Sequence, residues 1–368
     1  MKPVRLGIIG LGEMGRAHAR QVRAGAVPLL RLAAVTDLDP ARLAEFAPAA
    51  PFTDPQALID SGAVDAVLVA TPHFSHAGIG CAVLRAGLHL LVEKPVAAQI
   101  SAARRLLASA RCRPRLVSAV MFNQRTDPLH RRLRTLLQSG KLGAVRRAQW
   151  TLTHWFRSAA YYRSSPWRAT WAGEGGGVLL NQCVHQLDLL QWFLGSPRHV
   201  RAHCAFGRYH DIEVEDDVTA YCEYPRGTHV TLITSTGEAP GTNRLEIAAE
   251  GGQLVLDQGG LTLRRNAAPM SAFSRTTPDF FAAPAVSPRT WRRTGPGGQH
   301  REILRNFTAA ILRREPLIAP LAEGLASLEL ANALLLSAWT DERIALPLNA
   351  ARYDRELARQ MARSRHQP

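Results

Sequence analysis

Residues 4–15, Val-Arg-Leu-Gly-Ile-Ile-Gly-Leu-Gly-Glu-Met-Gly, decide the fold. The first six form a short apolar run of buried-strand length, and the rest is a Gly10-x-Gly12-x-x-Gly15 turn that opens onto a helical stretch. Gly10 permits the tight turn, Gly12 lets the backbone approach a pyrophosphate, and Gly15 allows close helix–strand packing with helix N–H groups facing the anion. Leu11, Glu13 and Met14 fill the same turn and are expected beside the ligand. Outward from it, strand-like runs at 4–9, 30–36, 64–70, 88–92 and 115–121 alternate with helical stretches near 13–24, 40–47, 55–61, 74–86 and 98–110. This alternation predicts an α/β fold whose first part is a doubly wound parallel sheet, with ligands at the carboxyl ends of its strands.

Those ends carry the informative residues. Asp37 closes the second strand, where a carboxylate can accept hydrogen bonds from a ribose diol and would repel a 2′-phosphate; Leu38, not Arg, follows it. NAD is therefore favoured over NADP. The alternative is a glycine-rich helix cap with Asp37 and Asp39 merely solvated. Thr71 and Pro72 are expected to wall a ribose, with His73 either on the cofactor or capping its helix. Glu93-Lys94-Pro95 ends a further strand. An amine can exchange a proton near neutrality when burial or a neighbouring cation lowers its pKa, and a guanidinium cannot. Lysine stands only at Lys2, Lys94 and Lys141 in a chain that otherwise uses Arg, so Lys94 reads as selected for proton handling rather than as a surface residue.

Beyond about residue 122 the pattern changes to a helix at 127–139 and strand-like runs at 144–156, 198–208, 214–224, 226–236, 244–249 and 252–265. They predict an α+β domain on a largely antiparallel sheet. An irregular stretch at 266–299 precedes helices near 300–314 and 321–340, and the basic tail 351–368 is expected to be helical and then frayed. The expected division is thus 1–122 and 123–368. Residues 175–195 read as one apolar helix entered through three glycines, with Asn181, His185 and Asp188 at i, i+4 and i+7. This polar stripe either faces solvent or lines a cleft in which His185 accepts a proton.

The chain has 368 residues, 46% hydrophobic and 20% charged, enough for one large or two ordinary cored domains. No uninterrupted apolar run approaches the ~18 residues of a membrane span, and the N-terminus lacks a signal-peptide h-region, so a cytoplasmic protein without membrane association is expected. The net charge is +15, but the basic residues are dispersed in short pairs, without a run of five or an aromatic-interleaved motif, which argues against nucleic acid. The five cysteines are far apart and neither His73/His76 nor His185/Asp188 has further ligands at metal spacing, so no metal is expected.

The Gly10-x-Gly-x-Met-Gly opening followed by a histidine, Ala70-Thr71-Pro72, and above all Glu93-Lys94-Pro95 resemble the glucose–fructose oxidoreductase, inositol dehydrogenase and rhizopine catabolism (Gfo/Idh/MocA) family over nearly the full length. The resemblance implies a Rossmann domain followed by a substrate-binding and oligomerisation domain, assembling as a homodimer or homotetramer. It implies an NAD(P)-dependent sugar or polyol dehydrogenase that moves hydride between nicotinamide and a secondary alcohol of a sugar, glycoside or cyclitol, with Lys94 and His185 handling the proton. Family members pair an Asp with the catalytic His. Here the matching residue is Asn181, which orients a hydroxyl but cannot ionise. Tyr161, Tyr162, Trp167, Arg168, Asn181 and Asp188 are then the expected sugar contacts, since aromatic faces suit sugar C–H surfaces and polar groups bind hydroxyls. Two other readings stay open within the resemblance. One is an NAD-dependent glycosidase working through transient C3 oxidation and elimination, and the other is a non-catalytic nucleotide-binding regulator.

Overall fold

The computed structural model describes residues 1–365, which form two sheets; the last three residues of the expected tail lie outside the described range. The first sheet contains β1 (Val4–Ile9), β2 (Leu30–Thr36), β3 (Ala50–Phe52), β4 (Ala66–Val69), β5 (His89–Val92) and β6 (Ser118–Val120). Its order is β3-β2-β1-β4-β5-β6 and every pairing is parallel. The crossovers carry α1 (Glu13–Arg23), α2 (Pro40–Ala44), α3 (Pro55–Asp60), α4 (His73–Arg85) and α5 (Ile100–Arg111). This is the expected doubly wound sheet. β4 is buried at all four positions because helices cover both faces. The short edge strand β3, three residues without alternation, is an addition to the sequence reading.

Gly10 sits at φ +93°, and a Cβ on Gly15 would stand 1.8 Å from the Gly10 carbonyl oxygen. Only glycine at both positions lets α1 start directly under β1.

The second sheet has nine strands: β7 (Val145–Leu152), β8 (His199–Phe206), β9 (Glu215–Glu223), β10 (His229–Ser235), β11 (Asn243–Ala249), β12 (Gly252–Asp257), β13 (Gly260–Asn266), β14 (Val286–Arg292) and β15 (Ile344–Ala345). Their order is β14-β13-β12-β11-β7-β10-β9-β8-β15, with β7 and β10 parallel and the other pairs antiparallel. The run at 252–265 is a hairpin. The stretch at 266–299 contains a short helix, Met270–Thr276, and the edge strand β14, instead of being wholly irregular; β14 is almost entirely exposed, so no buried face marked it in the sequence.

Helices α6 (Pro128–Gln138), α7 (Ala159–Tyr162) and α8 (Val184–Leu194) precede β8; after the short helix α9 (Met270–Thr276) come α10 (Gln299–Arg313), α11 (Leu321–Thr340) and α12 (Ala350–Met361). α10 turns back on the first sheet: Ile303, Leu304 and Phe307 share a core cluster with Leu6, Ile8 and Leu68. The Val120 N–H donates to the Ala319 carbonyl at 3.0 Å, which ties the last strand of the first sheet to the segment after α10. α11 has the length and apolarity of a membrane span, but two-thirds of it is buried inside the fold, against α8 and β8.

The expected helix over 175–195 begins only at Val184. The Gly177 and Leu179 N–H groups donate to the Glu215 carboxylate at 2.9 and 3.0 Å, and the Val178 N–H donates to the Glu215 carbonyl at 3.0 Å. Three consecutive donors are thus consumed by the start of β9, and a Cβ on Gly177 would meet the Glu215 carbonyl oxygen at 2.1 Å. Residues 178–183 are held as turns instead. Glu215→Ala leaves two buried N–H groups without acceptors, and a stability loss of about 2–4 kcal/mol is expected in guanidinium unfolding; an unchanged midpoint would contradict this account of the segment.

Candidate active site

A cleft of about 620 Å³ runs from the carboxyl ends of β1, β2, β4 and β5 to the 157–185 segment of the second half. At its first end lie Gly10, Gly12, Glu13, Met14 and Asp37. The N-terminus of α1 has no side-chain cap, and a Cβ on Gly12 would meet nothing within 4 Å. Uncapped helix N–H groups under an open glycine fit a dinucleotide pyrophosphate. Asp37 is held at the cleft by accepting from the Leu11 N–H at 2.7 Å and the Asp39 N–H at 3.0 Å. Arg42 approaches Asp37 at 3.6 Å and also lines the cleft. Of the expected cofactor residues, Leu11 and Gly15 do not line it: the Leu11 side chain is buried in the core, and Gly15 packs on Gly10.

Thr71, Pro72, His73, Glu93 and Lys94 follow along the wall. His73 Nδ1 is 3.0 Å from the Glu174 carbonyl, and burial with the nearby His76 and Lys94 pulls its pKa down to about 3, so the ring is neutral. Lys94 Nζ donates to the Asn181 carbonyl at 3.0 Å, across from the first sheet to the second half. Burial lowers its pKa, against the opposing pull of Glu93 and Glu174. Glu93 accepts from the Lys94 N–H at 3.0 Å and lies 2.7 Å from His18 Nε2. Burial opposes its ionisation, yet the His18 hydrogen bond and the charges of Lys94 and its neighbours bring it down to about 2.

His185, in the first turn of α8, lines the same cleft as Lys94. Its ring stands edge-on to Phe122 at 6.3 Å, and its buried Nδ1 has no hydrogen-bond partner. Burial, then the Lys94 cation, lowers its pKa to about 3. Asn181 donates through Nδ2 to Tyr161 Oη at 3.2 Å and to the Glu174 carboxylate. Trp167 and Arg168 complete this end, with Arg168 Nη1 donating to Tyr161 Oη at 2.8 Å.

Two expected sugar contacts stand elsewhere. Tyr162 turns away, its hydroxyl 2.8 Å from Thr236 Oγ1 and its ring against His210. Asp188 is on the buried side of α8, paired with Arg125 through bonds of 2.8 and 2.5 Å. The stripe expected on one helix is divided because Asn181 precedes the helix and Asp188 is claimed by a buried cation. Glu174, Asn123, Arg157, His76 and His300 also line the cleft and His18 bonds Glu93, and the sequence reading placed none of them in the site. Glu174 interrupts a glycine run and His18 follows the glycine opening, two signals available in the sequence; the others arrive by tertiary folding. Among the described residues, no cluster of three or more His, Cys, Asp or Glu is arranged to hold a metal ion.

Residues 4–120 match the family model described as "Oxidoreductase family, NAD-binding Rossmann fold", and residues 130–255 match the "GFO/IDH/MocA C-terminal domain". The chain belongs to the Gfo/Idh/MocA oxidoreductase family and has its NAD-binding Rossmann fold. Among curated relatives, it is 35% identical over 197 residues to inositol 2-dehydrogenase 2 of Saccharopolyspora erythraea, covering 52% of this chain and 54% of that protein. It is 32% identical over 196 residues to inositol 2-dehydrogenase of Rubrobacter xylanophilus, covering 52% of each. The chain therefore spans about half the length of the curated relatives it matches. Among solved structures, it superposes on the WlbA dehydrogenase of Chromobacterium violaceum in complex with NADH and UDP-GlcNAcA with TM-score 0.82, at 23% identity, covering 95% of this chain and 97% of that one. Levoglucosan dehydrogenase in complex with NADH and levoglucosan gives TM-score 0.77 at 20% identity, covering 94% and 100%. At these identities the likeness concerns the fold.

Removing the Asp188 carboxylate strands the Arg125 guanidinium, whose other carboxylate partner, Glu323, is half exposed. Asp188→Ala is expected to cost about 3–5 kcal/mol in chemical denaturation. A variant of wild-type stability with a raised KM for substrate would return Asp188 to the substrate contacts.

Proposed function

We propose that this protein is an NAD-dependent dehydrogenase acting on a secondary alcohol of a sugar, glycoside or cyclitol. The observation that carries the reading is that Lys94 and His185 line one cleft with the Gly10–Met14 turn and Asp37. The curated relatives named inositol 2-dehydrogenase and the structural neighbours solved with NADH support it. Residues 1–122 would bind the dinucleotide through Gly10, Gly12, Glu13, Met14, Asp37, Thr71, Pro72 and His73. Residues 123–368 would supply the substrate wall with Tyr161, Trp167, Arg168 and Asn181. Five free cysteines accord with a reducing, cytoplasmic setting. Assembly as a homodimer or homotetramer is part of the same reading.

The bound nicotinamide supplies the hydride acceptor or donor and loses its positive charge on reduction. Lys94 donates a hydrogen bond to the reacting oxygen and stabilises the negative charge that develops there. His185, neutral because burial and Lys94 hold its pKa near 3, has a free lone pair for the hydroxyl proton. Taking that proton would make His185 an imidazolium within the influence of the Lys94 cation. Asn181 fixes Lys94 through its carbonyl and reaches Glu174 through its amide, which places a carboxylate next to the position where the family has Asp.

Lys94→Ala and His185→Ala are each expected to lower kcat/KM for polyol oxidation by about 10²- to 10⁴-fold while NADH affinity, read by fluorescence titration, stays within a few-fold. Loss of NADH binding in both would make them structural. Because His185 is deprotonated well below the ordinary imidazole range, the acid limb of kcat/KM should lie below pH 6.5 and be absent from His185→Ala; an acid limb at or above pH 6.5 contradicts the neutral acceptor. Chromogenic glycosides are assayed in parallel, and aglycone release without reduced cofactor would replace net oxidation by elimination.

A further inference from the structure

The dehydrogenase reading gives Arg157 no role and Arg168 only that of a sugar contact, yet both guanidinium groups stand at the reacting end of the cleft. Arg157 and Arg168 both line it and flank one ring, their guanidinium carbons 5.1 and 4.5 Å from the Tyr161 centroid. Arg168 also lies 4.9 Å over Trp167. Its nearest carboxylate, on Glu174, is 3.9 Å away. Arg157 donates through Nη1 to the Trp155 and Phe156 carbonyls at 3.1 Å each, while its buried Nε has no partner. Among the described residues no carboxylate comes within the 4.0 Å of an ion pair with Arg157.

Lys94 is the third cation of this end, and the opposing charge is scarce. Glu93 is committed to His18 and the Lys94 backbone, and Glu174 is buried with its oxygens taken by the Ala169 N–H and the Asn181 amide. Arg168 also donates through Nε to Ser164 Oγ at 3.3 Å, so in both residues Nη2 is left without a hydrogen-bond partner among the described residues. A planar guanidinium stacked on an aromatic ring with that donor open suits an oxygen of a carboxylate or phosphate. Resting on the dehydrogenase reading, we infer that the alcohol substrate is anionic: a sugar or cyclitol carrying a carboxylate or phosphate that Arg157 and Arg168 receive, while the reacting hydroxyl meets Lys94 and His185. The chain's net charge of +15 then has a use that does not involve nucleic acid, because a basic surface raises the encounter rate with small anions.

The test compares glucose, glucuronate and glucose 6-phosphate, and myo-inositol with a myo-inositol monophosphate, by NADH formation with the full-length protein. At least one anionic compound is expected to exceed its neutral parent tenfold or more in kcat/KM, and the better of the two anions identifies the group. Arg157→Gln should lower the anionic-to-neutral ratio at least tenfold, with part of it restored in Arg157→Lys. Neutral parents that match or exceed their anionic derivatives overturn this inference and leave the redox reading standing. If none of the compounds reduces NAD, the redox reading fails for them. Calorimetric titration of the NADH-loaded protein then decides the charge preference, and equal binding of glucose and glucuronate overturns it. Should Arg157→Gln fail to fold, the wild-type ratios decide alone.

Discussion

The bond from Lys94 Nζ to the Asn181 carbonyl joins the two halves of the molecule at the reacting end of the cleft. A desolvated ammonium needs acceptors, and few are available there: Glu93 lies behind it and is occupied by His18, so the second half must provide one. Asn181 can do so with its main chain only because residues 176–183 are kept out of the helix, and that depends on Glu215 capturing the N–H groups of 177–179. A carboxylate at the start of β9 thereby sets the acceptor that fixes Lys94. Around this link, α10 closes on the first sheet and Val120 bonds to Ala319, so the cleft walls are held by main-chain and core contacts as well as by the site's own groups.

The first third of the fold was legible in the sequence because its signals are local. A buried parallel strand is apolar throughout, a glycine opening marks the turn after β1, and Asp37 and Lys94 stand at strand ends that periodicity alone locates. These same residues line the cleft. The misreadings fall where a distant residue decides. Asp188 looks like part of a cleft stripe until Arg125, 63 residues away, is brought against it. Residues 175–183 look helical until Glu215 takes their donors. Tyr162 neighbours Tyr161 in sequence but turns to Thr236. β14 escaped because an exposed edge strand has no buried face to alternate. Arg157 could not be picked from an Arg-rich chain, since what distinguishes it is an absent partner and a ring beneath it.

Burial acts on the ionisable groups of the reacting end in one direction. It favours the neutral form of His73, His185, Lys94 and Glu174 alike. Glu93 is the exception, ionised because the His18 hydrogen bond and Lys94 outweigh its desolvation. His73 and His185 are neutral through burial, so the site can accept a proton without first expelling one. Arginine escapes this neutralisation because its intrinsic pKa is too high for burial to discharge it. Two arginines at the cleft therefore remain as fixed positive charge beside Lys94, whose own charge burial disfavours. Such charge is stable in a partly desolvated place only when stacking, main-chain carbonyls or an arriving anion offset it, and the first two leave the Arg157 Nε unsatisfied.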